Sequence, residues 1–124
     1  MSVVLIVEDN DRNLELVRDI LQAKGYGTLE AGTAEGGLEI ARAHSPDLVL
    51  MDIQLPGSSG IEGLRALRAD PTTAGIPVVA ITASVMPVDR EQIIRAGFDG
   101  FIEKPITVRS FLQVVEDVLR ARTA

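Results

Sequence analysis

The sequence predicts an α/β protein in which five parallel strands form one sheet between two layers of helices. Five short apolar segments alternate along the 124 residues with five segments of helical periodicity, and this alternation is typical of a parallel sheet. The segment LVLM at 48–51 is apolar without alternation, as expected for a strand buried on both faces. The length fits a single domain, which we expect to span residues 1–124.

The first half of the chain contains the first two strands and the first two helices. Residues 3–7 form an apolar strand rich in β-branched residues, and Gly25 ends the helix that follows it. The second strand spans 27–31, and Thr33 caps a second helix that ends before Ser45-Pro46. The buried side of the first helix is expected to carry Leu14, Val17 and Leu21, with Leu16 and Ile20 beside them.

The third strand ends in an acid. A carboxylate inside a buried strand would be unfavourable, so we place Asp52 at the carboxyl end of the strand that contains 48–51. Leu55-Pro56-Gly57 then turns the chain. Ligands bind at this edge of open α/β sheets. Taken alone, however, Asp52 is better explained as a cap of the next helix.

The third helix runs from the turn at 56–60 to Asp70-Pro71, and the fourth strand, at 78–81, ends at Thr82. The alternation of strands and helices therefore continues through this part of the chain. Loops of this length suit right-handed βαβ crossovers.

The last units end in charged and turn residues. A loop with Met86-Pro87 leads to a helix around 89–96, which Gly97 closes, and the strand at 100–103 ends at Lys104-Pro105. Thr107 can cap the last helix. The buried stripe of that helix is expected to comprise Val108, Phe111, Leu112, Val115, Val118 and Leu119.

Five βα units favour the flavodoxin-like (βα)5 three-layer sandwich with strand order 2-1-3-4-5. In that order the strand of Asp52 lies between the strand followed by Glu8-Asp9 and the strand ending in Thr82, with Lys104 one strand further. Neighbouring strands are about 4.8 Å apart, so these groups gather at one edge. Three close carboxylates and one ammonium favour a hard cation such as Mg²⁺ and an anion such as a phosphoryl group. An aspartate can accept that group as a nucleophile.

The composition excludes several other classes of function. The net charge is −6 with 3% aromatic residues, so we expect no nucleic-acid binding. No apolar run reaches the roughly 18 residues of a membrane span, and the N-terminus does not resemble a signal peptide. The absence of cysteine excludes disulfides and thiolate metal sites, and we expect a cytoplasmic protein without membrane contact. His44, at the far end of the second helix, is expected to be exposed.

Four motifs resemble those of response-regulator receiver domains, in order and at matching spacings. They are VEDN at 7–10, LMDIQLPGSSG at 50–60, ITAS at 81–84 and EKPI at 103–106. Together with GYGTLEA and IPVVAITA, they look closest to DivK-like single-domain regulators of the bacterial cell cycle. The resemblance implies a single-domain response regulator of a two-component system or phosphorelay, and it suggests a process such as cell-cycle or polarity control.

The resemblance also implies roles for particular residues. Asp52 matches the phosphoacceptor, Lys104 the lysine that contacts the phosphoryl group, and Thr82 the hydroxyl that moves toward it. Glu8 and Asp9 match the acidic pair that binds Mg²⁺ with Asp52. The metal ligands are completed in the family by a backbone carbonyl, which here belongs to Gln54. Phe101 matches an aromatic switch residue that is tyrosine in many relatives.

A phosphoryl group is then expected to reach Asp52 from a histidine kinase or histidine phosphotransferase. The last helix leaves no residues for an effector, so we expect output through a protein partner. That partner would contact the face formed by the fourth helix, the fifth strand and the fifth helix, where Met86 and Pro87 could add an apolar edge. The protein would assist its own phosphorylation and dephosphorylation without being an enzyme.

Several other functions remain as alternatives. The protein could be a phosphoryl carrier within a multistep relay. An aspartate-nucleophile phosphatase usually has a second acid two residues after the nucleophile, where this chain has Gln54. A flavin-binding protein would need a phosphate loop after the first strand, where this chain has an acidic segment. A receiver that no longer accepts phosphate would lack one of Asp52, Thr82 or Lys104, and this chain has all three.

Overall fold

The computed structural model describes residues 2–55, 59–83 and 87–123. The strands are β1 (Val3–Val7), β2 (Gly27–Ala31), β3 (Leu48–Asp52), β4 (Val78–Thr82) and β5 (Gly100–Glu103). The helices are α1 (Asp11–Ala23), α2 (Ala34–His44), α3 (Gly60–Ala69), α4 (Pro87–Ala96) and α5 (Val108–Thr123). The predicted turn at Pro56-Gly57 and the residues Ser84 and Met86 lie outside the described ranges.

All four strand pairings are parallel, and the sheet has the predicted order β2-β1-β3-β4-β5. The strand β3 lies at its centre, and all five of its residues are buried. The strand β4 beside it is equally buried. This confirms the prediction that the apolar segment 48–51 belongs to a strand covered on both faces.

Alternate residues of each central strand belong to two separate cores, because successive side chains of a strand point to opposite faces. On one face Val4, Ile6 and Leu50 pack with residues of α1 and α5. On the other face Leu5 and Met51 pack with residues of α2, α3 and α4. The molecule is thus a three-layer sandwich, as predicted.

Most predicted helix ends are confirmed. Gly25 and Gly97 have φ angles of 88° and 104°, in the left-handed region that favours glycine at the end of a helix. The Thr33 hydroxyl accepts a hydrogen bond from the Gly36 N–H at 3.0 Å, as a cap of α2. The backbone carbonyl of Thr107 accepts a hydrogen bond from the Phe111 N–H, and a cap by its hydroxyl stays a prediction.

Three helical predictions differ from the structure. The helix α4 begins at Pro87, two residues before the predicted start near Asp89. Proline suits the first helical position because an N–H at that position would have no acceptor within the helix. Val108 was placed in the buried stripe of α5, but it is 55% exposed; it is the first residue of α5, and the buried stripe starts at Phe111. Leu16 of α1 is 40% exposed and so lies on the outer side of its helix.

Arg68, which no sequence pattern marks, connects the end of α3 to two loops at the amino end of the sheet. The guanidinium of Arg68 donates hydrogen bonds to the carbonyls of Ile76 and Ala74 at 2.6 and 3.2 Å. It also contacts the Asp99 carboxylate at 2.8 Å, and the same carboxylate oxygen accepts the Val78 N–H. Arg68 therefore ties the end of α3 to the starts of β4 and β5.

Within the three described ranges, no helix combines the length and the apolar character needed to cross a membrane.

Candidate functional site

The predicted site residues meet at the carboxyl edge of the sheet. Asp52 is the last residue of β3 and Thr82 the last of β4, while Glu8 follows β1 and Lys104 follows β5. The register pairs Asp52 with Ile81 and Thr82 with Glu103, so the strand ends lie side by side. Parallel strands make this unavoidable, because all their carboxyl ends share one edge.

Three carboxylates form a cluster at this edge. Glu8, Asp9 and Asp52 each offer an oxygen, and these three oxygens lie within 4.8 Å of one another. Glu8 and Asp52 are buried, with 2% and 4% exposure, whereas Asp9 is exposed. The cluster therefore has a buried floor and one side open to solvent.

The Lys104 ammonium lies against the buried pair. Its Nζ is 3.1 Å from Asp52 Oδ2 and 3.5 Å from Glu8 Oε1. Burial disfavours the charged ammonium, but the hydrogen bond and charge of Asp52, together with Glu8, outweigh it and raise the pKa of Lys104. A cation thus faces the cluster from the end of β5, as predicted.

Backbone amides hold the other carboxylate oxygens. The Gln54 N–H donates to Asp52 Oδ1 at 2.9 Å, and the Asn10 N–H donates to Glu8 Oε2 at 3.3 Å. Each carboxylate is therefore fixed by an amide two residues later in the chain. Among the described residues, Glu8 Oε1 is a buried oxygen without a hydrogen bond.

The pKa of Glu8 is raised to about 7 from its usual 4.5. Burial is the largest cause, and the hydrogen bond and negative charge of Asp52 act in the same direction. Lys104 and the Asn10 N–H oppose the rise. In the metal-free protein Glu8 therefore holds a proton well above the pH at which an exposed glutamate loses it.

This shift predicts that metal-free protein becomes less stable as the pH rises from about 4.5 to about 7. Over that range the unfolded chain releases the Glu8 proton while the folded chain keeps it, so the folded state binds more protons and its stability falls. The loss is roughly 3 kcal/mol and levels off above pH 7. Urea unfolding in a chelator, from pH 4 to 8, measures it. Glu8→Gln should remove the fall, and parallel curves for the two proteins would contradict the assignment.

The cluster fits a hard divalent cation. Mutual repulsion among three carboxylates is offset by a single ammonium. The buried Glu8 Oε1 has Lys104 Nζ at 3.5 Å but accepts no hydrogen bond, so it offers a ligand atom to a cation. Oxygen ligands of this kind suit Mg²⁺. The donor set of Glu8, Asp9 and Asp52 is therefore appropriate for that ion.

The remaining predicted residues lie around this centre. Thr82 is buried next to the site, with 4% exposure, and its carbonyl accepts the Lys104 N–H at 2.8 Å. Phe101 of β5 is half-buried and packs against the core shared with α2, α3 and α4, so it borders the site without entering the cluster. The alternative that Asp52 only caps the next helix is wrong, because Ser59 caps α3.

Three capping residues of this region were missed in the sequence. Asn10 caps α1 by accepting the Asn13 N–H at 3.1 Å, so the acidic segment after β1 contains both a helix start and two site residues. Ser59 and Glu62 form a capping box at the start of α3. The pattern S-x-x-E indicates such a box, and it could have located the start of α3 from the sequence.

Comparison with known proteins identifies the family. The family model of the response regulator receiver domain matches residues 4–116. The polar-differentiation response regulators DivK of Brucella ovis and Brucella anthropi are each 44% identical to this chain over 116 residues, covering 94% of both sequences. The chain belongs to the response regulator receiver domain family.

Solved structures agree with this assignment. A CheY-like response regulator receiver domain protein from Methanospirillum hungatei superposes with a TM-score of 0.87 at 29% identity, covering 99% of this chain and 97% of that one. The receiver domain of a sensor histidine kinase from Pseudomonas aeruginosa, solved with a magnesium ion coordinated in the active site cleft, gives 0.88 at 26% identity. That match covers 96% of this chain and 98% of the other.

Membership defines the general class of function. Receiver domains are signalling proteins of two-component systems, not conventional enzymes, and they act through phosphorylation. Their phosphoryl groups come from histidine kinases or phosphotransfer proteins. The resemblance seen in the four sequence motifs is thereby confirmed.

Proposed function

We propose that this protein accepts a phosphoryl group on Asp52 and signals through a surface that phosphorylation alters. One observation carries the proposal: the Asp52 carboxylate stands at the end of the central strand, 3.1 Å from the Lys104 ammonium and within a cluster of three acids. The carboxyl edge of the sheet thus brings together a nucleophile, a cation for the incoming anion and a set of metal ligands. We take residues 1–124 together as one receiver domain that is itself the response regulator.

Glu8, Asp9 and Asp52, with the backbone carbonyl of Gln54, would hold Mg²⁺. When bound, the ion neutralises negative charge on the phosphoryl oxygens. The Gln54 N–H bonds to Asp52 Oδ1, which holds the backbone of Gln54 beside the Asp52 carboxylate and supports its proposed part in the site. The exposed side of Asp9 leaves the cluster open to the phosphodonor.

The transfer itself follows from the positions of Asp52 and Lys104. An oxygen of the Asp52 carboxylate attacks phosphorus and forms an O–P bond, while the P–N bond of a phosphohistidine breaks and the leaving imidazole takes up a proton. Lys104 offsets charge on the phosphoryl oxygens, and the amide of Gln54 orients the attacking carboxylate. Signal loss is a separate hydrolysis, in which water attacks phosphorus and releases inorganic phosphate, with Asp52 as the leaving group.

The donor would be a histidine kinase or a histidine phosphotransferase, and the output would be a contact with another protein. The names of the DivK relatives suggest that this contact serves polar differentiation or the cell cycle. We propose the cytoplasm as its location, since two-component phosphotransfer takes place there. Incubation with acetyl phosphate and Mg²⁺, read by intact mass, tests the proposal: one added phosphoryl group supports it, and an unchanged mass overturns it.

The switch is proposed to run from Thr82 to Phe101. A phosphoryl group adds a charge of roughly −1.5 to −2, which draws the Thr82 hydroxyl toward it, and the half-buried Phe101 ring then turns inward. The face of α4, β5 and α5 changes with it. Ile94 of α4 and Val108 of α5 are exposed large apolar side chains, at 63% and 55% exposure.

Phe101→Ala should weaken the link between phosphorylation and partner binding while leaving phosphorylation of Asp52 largely intact. The coupling in wild type is expected to be on the order of 1–3 kcal/mol, and the alanine variant should lose most of it. Affinity for a histidine-kinase-type partner, with and without beryllofluoride, measures the coupling in both proteins. Equal wild-type affinities in the two states would show that the protein carries phosphoryl groups in a relay instead.

A further inference from the structure

We propose that Gly60 is a positioning residue for the Asp52 carboxylate, because it allows the first turn of α3 to pack directly on the peptide between Asp52 and Ile53. The inference rests on the proposed function, in which Asp52 is the phosphoacceptor. It concerns contacts between backbone segments, and glycine permits them because it has no Cβ atom. Residues outside the phosphoacceptor cluster then decide where the acceptor oxygens point.

The approach of α3 to the end of β3 is too close for any side chain at position 60. A Cβ atom there would lie 2.4 Å from the carbonyl oxygen of Asp52 and 2.8 Å from the Cα of Ile53. Both neighbours are backbone atoms at the end of a buried strand, so neither can swing aside as a side chain could. A larger residue would therefore displace either α3 or the Asp52–Ile53 peptide.

Hydrogen bonds fix the two successive peptides on either side of Ile53. The Gly60 N–H donates to the Ile53 carbonyl at 2.9 Å, and the Ile53 N–H donates to the Ile81 carbonyl of β4 at 3.0 Å. The next amide, of Gln54, donates to Asp52 Oδ1 at 2.9 Å. The Ile53 carbonyl and the Gln54 N–H belong to one peptide, which directly follows the Asp52–Ile53 peptide. Moving either peptide therefore moves the donor that orients Oδ1. The distance from Oδ2 to Lys104, now 3.1 Å, would change with it.

Gly63, one turn further along α3, provides a matched comparison. A Cβ at Gly63 would also meet close neighbours, but these are side-chain atoms: Met51 Cε at 3.0 Å and Ala34 Cβ at 3.1 Å. The Met51 side chain is flexible and can shift, and Ala34 is the first residue of α2, so its adjustment falls on the contact between α2 and α3. Alanine at 63 therefore tightens the packing of the same helix without touching the peptide that follows Asp52.

The test compares wild type, Gly60→Ala and Gly63→Ala as folded proteins, with folding verified by circular dichroism. Two quantities are measured: the dissociation constant of Mg²⁺ by calorimetry and the rate of phosphoryl gain from acetyl phosphate. Misplacing reacting groups by about 1 Å can slow a reaction roughly 100-fold, so Gly60→Ala should lower the rate by 10- to 100-fold and weaken Mg²⁺ binding. Gly63→Ala should remain close to wild type in both. Equal losses in the two variants, or no loss in Gly60→Ala, would overturn the inference.

Gly60→Ala could fail to fold, so Ser59→Ala serves as a second variant. The Ser59 hydroxyl accepts the Glu62 N–H at 3.2 Å, and its removal loosens the same helical turn without adding an atom near Asp52. A slower phosphoryl gain in folded Ser59→Ala supports the inference, and an unchanged rate contradicts it. If wild type gains no phosphoryl group at all, the proposed function fails, and that result is distinct from a failure of Gly60 as a positioning residue.

Discussion

Asp52→Asn should gain no phosphoryl group from acetyl phosphate and Mg²⁺, under conditions in which wild type gains one. The amide has nearly the shape of the carboxylate, but it lacks the anionic oxygen that attacks phosphorus. It also removes one of the carboxylate oxygens that face the cation site. Since Asp52 is the acid at the end of the central strand, we expect the loss to be complete. Intact mass of the two proteins after equal incubation gives the answer.

Asp47→Asn is the matched control for this substitution. Asp47 lies immediately before the other end of β3, where its carboxylate accepts the Val3 N–H at 2.8 Å. The control makes the same chemical change beside the same strand but away from the cluster. It should be phosphorylated as wild type is, even if it is less stable. Equal labelling of wild type and Asp52→Asn would mean that another residue is the acceptor.

Asp9→Ala should weaken Mg²⁺ binding roughly 100-fold or more. Loss of a group that merely orients a metal ligand already weakens binding by about 10- to 100-fold, and Asp9 is proposed to be a ligand itself. Its carboxylate is the exposed member of the cluster, so the ion can reach it without rearrangement. The same substitution lessens repulsion around Asp52 and Glu8. Metal-free Asp9→Ala should therefore be at least as stable as wild type.

Calorimetric titration with Mg²⁺ measures the effect, and Asp11→Ala is its control. Asp11 is an exposed acid two residues later, in the first turn of α1, so the variant changes the net charge equally. Its Mg²⁺ affinity should change far less, because a charge in solvent acts weakly on the site. If Asp9→Ala and Asp11→Ala behave alike, Asp9 serves only the start of the helix.

The sheet and the positions of the site residues could be predicted because apolar patterning is strong where strands are buried on both faces. The segment 48–51 identified the central strand, and the polar residues that follow each strand then had to share one edge. The resemblance supplied the roles of Glu8, Asp52 and Lys104. The structure brings these three residues together without assigning the roles.

Other features depend on distances that no local pattern contains. The raised pKa of Glu8 arises from burial beside Asp52, which is 44 positions later in the chain. The close approach of Gly60 to the Asp52 carbonyl, and the contacts of Arg68 with two loops, appear only when helix and sheet are packed. Val108 continued an apolar stripe in the sequence, yet the end of the helix left it exposed. The periodicity of a sequence indicates which side of a helix is apolar. It does not indicate how much of that side is covered by the elements packed against the helix.

The most direct test of the phosphoacceptor locates the phosphoryl group in the chain. Borohydride reduces an acyl phosphate of aspartate to homoserine, so phosphorylated protein is reduced, digested and sequenced by mass spectrometry. We predict homoserine at position 52 and nowhere else, in an amount that follows the phosphorylated fraction. Reduction at Asp9 instead, or a phosphoryl group that borohydride leaves in place on His44, would contradict it.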